Sequence, residues 1–424
     1  MTAEVVVMNK TAVALAADSA VTITAKIFNS AEKLYMLVPG KPVALMVYNH
    51  SEFMQLPWET IVKEYRIHNN GNSFSKLADY SNDFFSFLKD SNNNLYSDEQ
   101  YEVTFKLIIH FYFEEIARKI IFDINERIER KAKKISHKEI KQVISEWINK
   151  YYEQWDSEEN QFNDKTSKGI IKSFSKKYDS DLDQIINNIF GEAELSNNDK
   201  EKLKKFSYSL FYKNRLTDFY SGIVIAGFGE DELYPTCEEY LVENYFFNNI
   251  KMRKKGEAKV CAKDIGWVIS FAQKDVVKNF MNGIHPDLEE LLCEKLNILF
   301  SDNNLAELKN SIKGLKKERK EKILSALTKL KNEKIDPINS EIQEKFKKEH
   351  TDSILKTVAV LPKDELAKMA ESLVNITSFM RRVSMEIETV GGPIDVAVIS
   401  KKDGFIWIKR KHYFEKEYNI HFGI

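Results

Sequence analysis

The order of strand-like and helix-like segments is the feature that most constrains the fold of this chain. Short apolar runs typical of strands lie toward both ends of the sequence, at 4–8, 13–17, 21–24, 34–38, 43–48, 219–228, 394–399 and 405–409. Long helical patterns lie between them. Helices placed in this way can cover the outer faces of two sheets that pack together. The sequence therefore predicts an α+β fold in which two sheets lie between layers of helices.

Apolar residues at helical spacing predict several helices. The strongest pattern spans 103–128, where Leu107, Phe111 and Ile116 recur on one face. Ser51 is a candidate N-cap for a helix that extends to about residue 67. Further helices are predicted at 138–155, 169–190, 199–212, 265–283 and 364–384. These patterns divide the chain into a discontinuous core of residues 1–68, 215–285 and 351–424, with helical insertions at 69–214 and 286–350.

The charge and cysteine content exclude several classes of function. Lys and Arg number 63 and Asp and Glu number 64, so the formal net charge is −1. Balanced charge favours neither nucleic acid nor an anionic membrane as a partner. Cys237, Cys261 and Cys293 form no close pair, so we expect neither a zinc site nor a disulfide framework. The sequence has no phosphate-binding glycine loop, metal-ligand spacing or dinucleotide motif, and we expect no metal and no cofactor.

The start of the chain bears on its location. No basic stretch precedes an apolar run there, so a signal peptide is not expected. No apolar run is long enough to cross a bilayer. The expected location is the cytoplasm.

Thr2 is the candidate nucleophile. Removal of Met1 ahead of this small residue would leave a terminal threonine that carries both a hydroxyl and a free α-amine. An α-amino group titrates near ~7.7–8.0, so much of it can act as a base close to neutral pH. Threonine activated by its own amine is a recognised form of nucleophilic catalysis.

Asp18 and Lys33 are the candidate supporting residues. A threonine hydroxyl is a poor nucleophile unless nearby positive charge stabilises its alkoxide, and Lys33 could supply that charge. Asp18 could hold Lys33 in place and keep it ionised, because an opposite charge favours the charged form. Each residue alone also has an ordinary role open to it: a chain start, a turn after a strand and a solvated lysine beside Glu32.

Together these elements resemble a known family. Thr2, the run Val5-Val6-Val7, the segment Val13-Ala14-Leu15-Ala16-Ala17-Asp18-Ser19 and then Lys33 look like the start of proteasome β-subunits. They are also similar to the start of the bacterial peptidase that works with an ATP-dependent unfoldase ring. Both belong to the amino-terminal nucleophile (Ntn) hydrolases. The resemblance implies a four-layer αββα sandwich, here enlarged by the helical insertions.

The resemblance covers the first sixty residues or so, is weaker over 222–241, and is fair over 390–409. In the family a glycine amide forms the oxyanion hole where this chain has Asn49, so the resemblance implies that role for the Asn49 backbone. Glu386 and Thr389 are implied to replace an acid and a serine that support the nucleophile, although they lie one residue further from Gly391-Gly392; Glu388 is the other candidate acid. The residues implied to line the substrate pocket are Val21, Tyr35 and Val47.

The predicted function is hydrolysis of a peptide or amide bond through an acyl-enzyme on Thr2. The resemblance also implies a homo-oligomer and allows an ATP-dependent unfoldase as a partner. Two alternatives stay open: a non-catalytic binding or scaffold protein that keeps the fold, and a small-molecule amidohydrolase whose insertions close the cleft.

Overall fold

Two five-stranded antiparallel sheets and a set of helices make up this mixed α+β protein. The computed structural model describes residues 3–23, 26–131, 135–191, 193–299, 317–330, 344–345, 347–383, 390–412 and 414. Within these ranges, every helix is too short or too polar to span a bilayer.

The strands lie mostly toward the two ends of the chain. In chain order they are β1 (Ala3–Asn9), β2 (Val13–Ala17), β3 (Val21–Ile23), β4 (Lys26–Phe28), β5 (Leu34–Met36), β6 (Val43–Asn49), β7 (Glu52–Phe53), β8 (Leu56–Pro57), β9 (Ser221–Gly227), β10 (Thr236–Phe246), β11 (Asn249–Lys259), β12 (Gly266–Ala272), β13 (Asp395–Ser400) and β14 (Gly404–Lys409).

The helices lie mostly in the middle of the chain. They are α1 (Trp58–Asn69), α2 (Leu77–Lys89), α3 (Asp98–Lys131), α4 (His137–Asp156), α5 (Asp164–Phe190), α6 (Asn197–Tyr212), α7 (Asp275–Asn282), α8 (Pro286–Leu299), α9 (Lys317–Leu330), α10 (Asp352–Val358) and α11 (Lys363–Val383). The predicted helices at 103–128, 138–155, 169–190, 199–212 and 364–384 are confirmed.

The first sheet has the strand order β12–β1–β2–β13–β14, and the second has the order β11–β10–β9–β6–β5. In the first sheet Glu4 lies opposite both Phe271 on β12 and Ala17 on β2, and Ala17 lies opposite Asp395 on β13. Residues directly opposite each other share a face of the sheet. Phe271, Glu4, Ala17 and Asp395 therefore form one row across the first sheet.

The two sheets pack face to face. Val6, Met8 and Leu15 of the first sheet share a buried cluster with Met46 and Val224 of the second. Because side chains alternate between faces along a strand, the row that contains Glu4 also points toward the second sheet. A charged residue thus lies on the apolar interface between the sheets.

Helices α7, α10 and α11 cover the other face of the first sheet. Val5, Ala14 and Ala16 belong to a buried cluster with Ala367 and Ala370 of α11. The small side chains on both sides allow close approach of helix and sheet.

Helices α1 to α6 lie on the other side of the second sheet. Leu45 and Ile225 of this sheet share one continuous cluster with Phe84 of α2, Phe105 of α3 and Phe206 of α6. The long helices of the middle of the chain and the second sheet are therefore joined by a common core.

The prediction of one helix over 265–283 was wrong. Residues 266–272 form β12, which pairs with all seven residues of β1, from Ala3 opposite Ala272 to Asn9 opposite Gly266. The helix is confined to α7. Pairing with β1, a segment more than 250 residues away in sequence, decides the conformation of this stretch.

The predicted helix start at Ser51 was also wrong. The chain first makes the two-strand hairpin β7–β8, and α1 begins at Trp58. Met54 and Gln55 at its turn have φ of 52° and 64°. Two consecutive left-handed residues are typical of a tight hairpin turn. Neither residue is a usual turn former, so no local pattern indicated this hairpin.

Candidate active site

Asp18 immediately follows β2 and connects three segments of the chain. Its Oδ1 accepts from the backbone N–H of Ala3 at 3.0 Å, and its Oδ2 accepts from the N–H groups of Ala20 and Gly391 at 3.2 and 3.1 Å. The Asp18 N–H donates to the Ala3 carbonyl at 3.2 Å. Asp18 is only 1% exposed. These bonds fix the carboxylate where β1, β2 and the segment before β13 meet.

Lys33 brings a positive charge to this carboxylate from the second sheet. Its backbone carbonyl accepts from the N–H of Val47 on β6 at 2.8 Å. Its Nζ donates to Asp18 Oδ1 at 2.8 Å and to the Ala20 carbonyl at 2.6 Å. Burial lowers the pKa of Lys33, and the carboxylates of Asp18 and Glu4 act in the opposite direction. The structure thus brings Asp18 and Lys33 together as a buried ion pair that joins the two sheets.

Glu4 is a third ionisable group at this place, and sequence reasoning did not identify it. Its side chain is completely buried, and neither carboxyl oxygen has a hydrogen-bond partner among the described residues. Burial raises the pKa of Glu4 well above its usual range, although the charge of Lys33 opposes this effect. Burial therefore favours the uncharged form of Glu4. A glutamate at an inward position of an apolar strand was the available signal.

A second ion pair lies at the other end of the same row. The Lys411 backbone N–H donates to Asp395 Oδ1 at 2.8 Å, and Lys411 Nζ contacts Asp395 Oδ2. Asp395 is 3% exposed. The positive charge of Lys411 contributes to lowering the pKa of Lys33. Each ion pair is neutral by itself, so these four residues together with an uncharged Glu4 carry no net charge.

Asn49 ends β6, two residues beyond Val47. Its φ of 70° lies in the left-handed region, which asparagine enters more readily than most residues. Its side-chain Nδ2 donates to the Tyr220 carbonyl at 2.7 Å. The backbone here has a conformation that glycine also adopts, and the side chain is bonded to the segment before β9.

The other predicted site residues have different positions. Thr2, Glu386 and Thr389 lie outside the described residues, so their roles stay predictions. Val21 is half-buried at the start of β3, and Val47 is buried in the core under the helices. Tyr35 lines a cavity of about 280 Å³ between β5, α1 and the segment after β14, which we call the edge cavity.

The edge cavity adjoins the ion pair because Glu32 and Leu34, the two neighbours of Lys33 in the chain, both line it. Lys411, which pairs with Asp395, also lines it. Its charged lining includes Arg66 and Arg410, residues that sequence reasoning did not single out. They are more than 340 residues apart in sequence, and no local motif connects them.

Among the described residues, no group of three His, Cys, Asp or Glu side chains is arranged to hold a metal ion. A scan against protein-family models finds no match for the chain, and a search of curated proteins also finds none.

Proposed function

We propose that this protein is an amino-terminal threonine hydrolase of the proteasome β-like type, which cleaves peptide or amide bonds through an acyl-enzyme on Thr2 after removal of Met1. The proposal includes the four-layer αββα Ntn-hydrolase fold. Two sheets packed face to face, with helices on both outer sides, support that assignment.

The observation that carries the proposal is the buried Asp18–Lys33 pair next to the amide of Ala3. The nitrogen of Ala3 is 3.0 Å from Asp18 Oδ1, which is also 2.8 Å from Lys33 Nζ. A peptide bond of about 1.3 Å joins that nitrogen to the carbonyl carbon of Thr2. Covalent geometry therefore tethers the candidate nucleophile to the ion pair.

The chemistry follows from these groups. The Thr2 amine takes the hydroxyl proton, directly or through one water, while Oγ attacks the substrate carbonyl. The Lys33 ammonium stabilises the alkoxide as it forms, and Asp18 orients Lys33. The backbone N–H of Asn49 donates to the oxyanion of the tetrahedral intermediate.

The second half of the reaction returns the enzyme to its starting state. The protonated amine gives its proton to the leaving nitrogen, and the C–N bond breaks to leave an ester on Thr2. Water, activated by the same amine, then hydrolyses the ester and releases the acid. The overall reaction consumes one water and involves no oxidation or reduction, so this mechanism needs no cofactor.

Location and assembly belong to the same proposal. We place the protein in the cytoplasm as a homo-oligomer, with an ATP-dependent unfoldase as a candidate partner. The helices α3 to α6 are large additions at the second sheet, and they would limit which surfaces remain for ring contacts.

Hydrolysis of a library of fluorogenic peptides tests the proposal. Thr2→Ala should abolish hydrolysis, and Thr2→Ser should retain part of it because the hydroxyl and amine remain. Thr11→Ala, at an exposed position in the β1–β2 turn, is the matched control and should leave the rate unchanged. Equal rates for Thr2→Ala and wild type would refute the proposal. No hydrolysis by wild type that lacks Met1 would favour the binding or scaffold alternative.

A further inference from the structure

The edge cavity carries more positive than negative charge once its ion pairs are assigned. Glu59 contacts Lys63, and Glu32 lies 3.3 Å from Arg410. Lys411 is neutralised by Asp395, as described above. Among the lysine and arginine side chains of the described lining residues, three of the four therefore have a carboxylate partner, and the fourth is Arg66.

Arg66 has no carboxylate within ion-pair distance among the residues that the structure describes. Its Nε donates to the Met36 carbonyl at 2.9 Å, and its Nη2 contacts the same oxygen. These bonds fix the guanidinium but do not neutralise it, because a backbone carbonyl has no net charge. Burial lowers the pKa of Arg66, and the nearby positive charge of Arg410 adds to this effect, whereas the more distant carboxylate of Glu32 opposes it.

The size and walls of the cavity limit its occupant. A volume of about 280 Å³ lies just below the ~300–1,000 Å³ typical of pockets for whole ligands, so it suits a small group such as one side chain. Tyr35 and Trp407 provide aromatic walls, and the Arg410 guanidinium lies 5.0 Å from the Trp407 ring centre. Such a site would take a group with a short apolar stem and an anionic end.

We propose that the edge cavity binds an acidic side chain, glutamate or aspartate, of a peptide substrate, with Arg66 as the residue that recognises its carboxylate. The planar guanidinium can donate two parallel hydrogen bonds to a carboxylate. This inference rests on the proposed function, because the bound peptide is a substrate only if the protein is a hydrolase. Glu32 and Leu34, the chain neighbours of Lys33, both line the cavity, so an acidic residue bound there lies close to the proposed reaction centre.

The test uses pairs of peptides that are identical except for Glu or Gln at one position. Each pair in the series places this position at a different point along the peptide. Wild type should favour one Glu peptide by roughly 10- to 100-fold in kcat/KM, the range expected for a hydrogen-bonded charge. Arg66→Gln should reduce the Glu/Gln ratio to near one, and Arg66→Lys should keep part of it. Arg253→Gln removes the same charge from exposed β11, at the opposite edge of the sheet, and should leave the ratio unchanged.

A binding measurement tests this inference independently of the proposed hydrolysis. Calorimetric titration of the same peptides into Thr2→Ala needs no hydrolysis. Glu-selective binding that Arg66→Gln removes supports the cavity assignment even if wild type proves inactive. Equal binding of Glu and Gln peptides would overturn it. So would inorganic phosphate competing as strongly as the Glu peptide, because that would indicate a general anion site.

Discussion

Glu4 is the residue of this site at which a charge would be least favourable. A carboxyl group that is fully buried without a hydrogen-bond partner strongly disfavours its ionised form. The neighbouring Lys33 and Asp18 already neutralise each other, so an ionised Glu4 would add an uncompensated charge.

The raised pKa of Glu4 predicts a pH-dependent stability. The folded state holds this proton to higher pH than the unfolded state does, so the contribution is complete below the unfolded pKa of about 4.3 and is lost as pH rises toward the folded pKa. Glu4→Gln should therefore be more stable than wild type above that pH, with a difference that grows by up to about 1.4 kcal/mol per pH unit. Urea midpoints measured across pH check this.

Glu64→Gln is the matched control, because Glu64 is exposed on α1. It should leave the dependence of the midpoint on pH unchanged. If the Glu4→Gln and wild-type curves stay parallel, the carboxyl of Glu4 is not held in its neutral form.

The Asp18–Lys33 pair should be much more important to stability than an exposed pair. Lys33→Met leaves Asp18 buried without its counter-ion, and we expect a loss of about 3–5 kcal/mol. Lys41→Met removes a lysine whose partner, Glu230, is 54% exposed, and should cost at most about 1 kcal/mol. Chemical denaturation of both variants gives the comparison. Similar small losses would mean that the pair is more solvated than the structure indicates.

At the scale of elements, sequence patterns predicted what local spacing determines. The helices α3 to α6 were predictable because their apolar residues recur with one period over long segments. The β13–β14 hairpin was predictable from Asp403-Gly404 between apolar runs. β12 was not, because its conformation depends on pairing with β1. The same holds for the site. Asp18 and Lys33 were predicted with the help of the family resemblance. The burial of Glu4 and the surroundings of Arg66 were not, because they depend on contacts between segments that are distant in sequence.

The end of β12 offers a test of backbone strain. Ala272 has a φ of 60°, lies opposite Ala3 and has an exposed side chain. A left-handed conformation costs a residue with a Cβ roughly 1–2 kcal/mol, so Ala272→Gly should stabilise the protein by about 1 kcal/mol. Ala117→Gly in the interior of α3 should instead destabilise it by about 1 kcal/mol. Thermal denaturation checks both signs, and loss of stability in Ala272→Gly would contradict the strain.

At the scale of the whole molecule, a buried ion pair connects the helices to the second sheet. Lys251 on β11 pairs with Glu243 on β10 at 3.0 Å, and both side chains are fully buried. Lys251 Nζ also donates to the Leu210 carbonyl of α6 and lies 5.3 Å from the Trp155 ring centre of α4. The continuous core on this side of the sheet makes the same connection.

This connection predicts shared protection from hydrogen exchange. Lys251→Met should increase amide exchange in both α6 and the β10–β11 hairpin, because it removes a link common to them. Lys254→Met, on the same strand but with a side chain 39% exposed, should cause a smaller and local change. Exchange measured by mass spectrometry distinguishes the two. An effect of Lys251→Met that stays within β11 would show that the helices do not depend on this link.

Intact-mass spectrometry of the protein before and after an epoxyketone probe tests the central claim most directly. Such a probe reacts with the hydroxyl and the free amine of one terminal threonine, so it reports both features that the mechanism needs. We predict a protein that lacks Met1 and gains the mass of one probe, with no adduct in Thr2→Ala. A chain that retains Met1, or one that lacks Met1 and gains no adduct, would contradict the account.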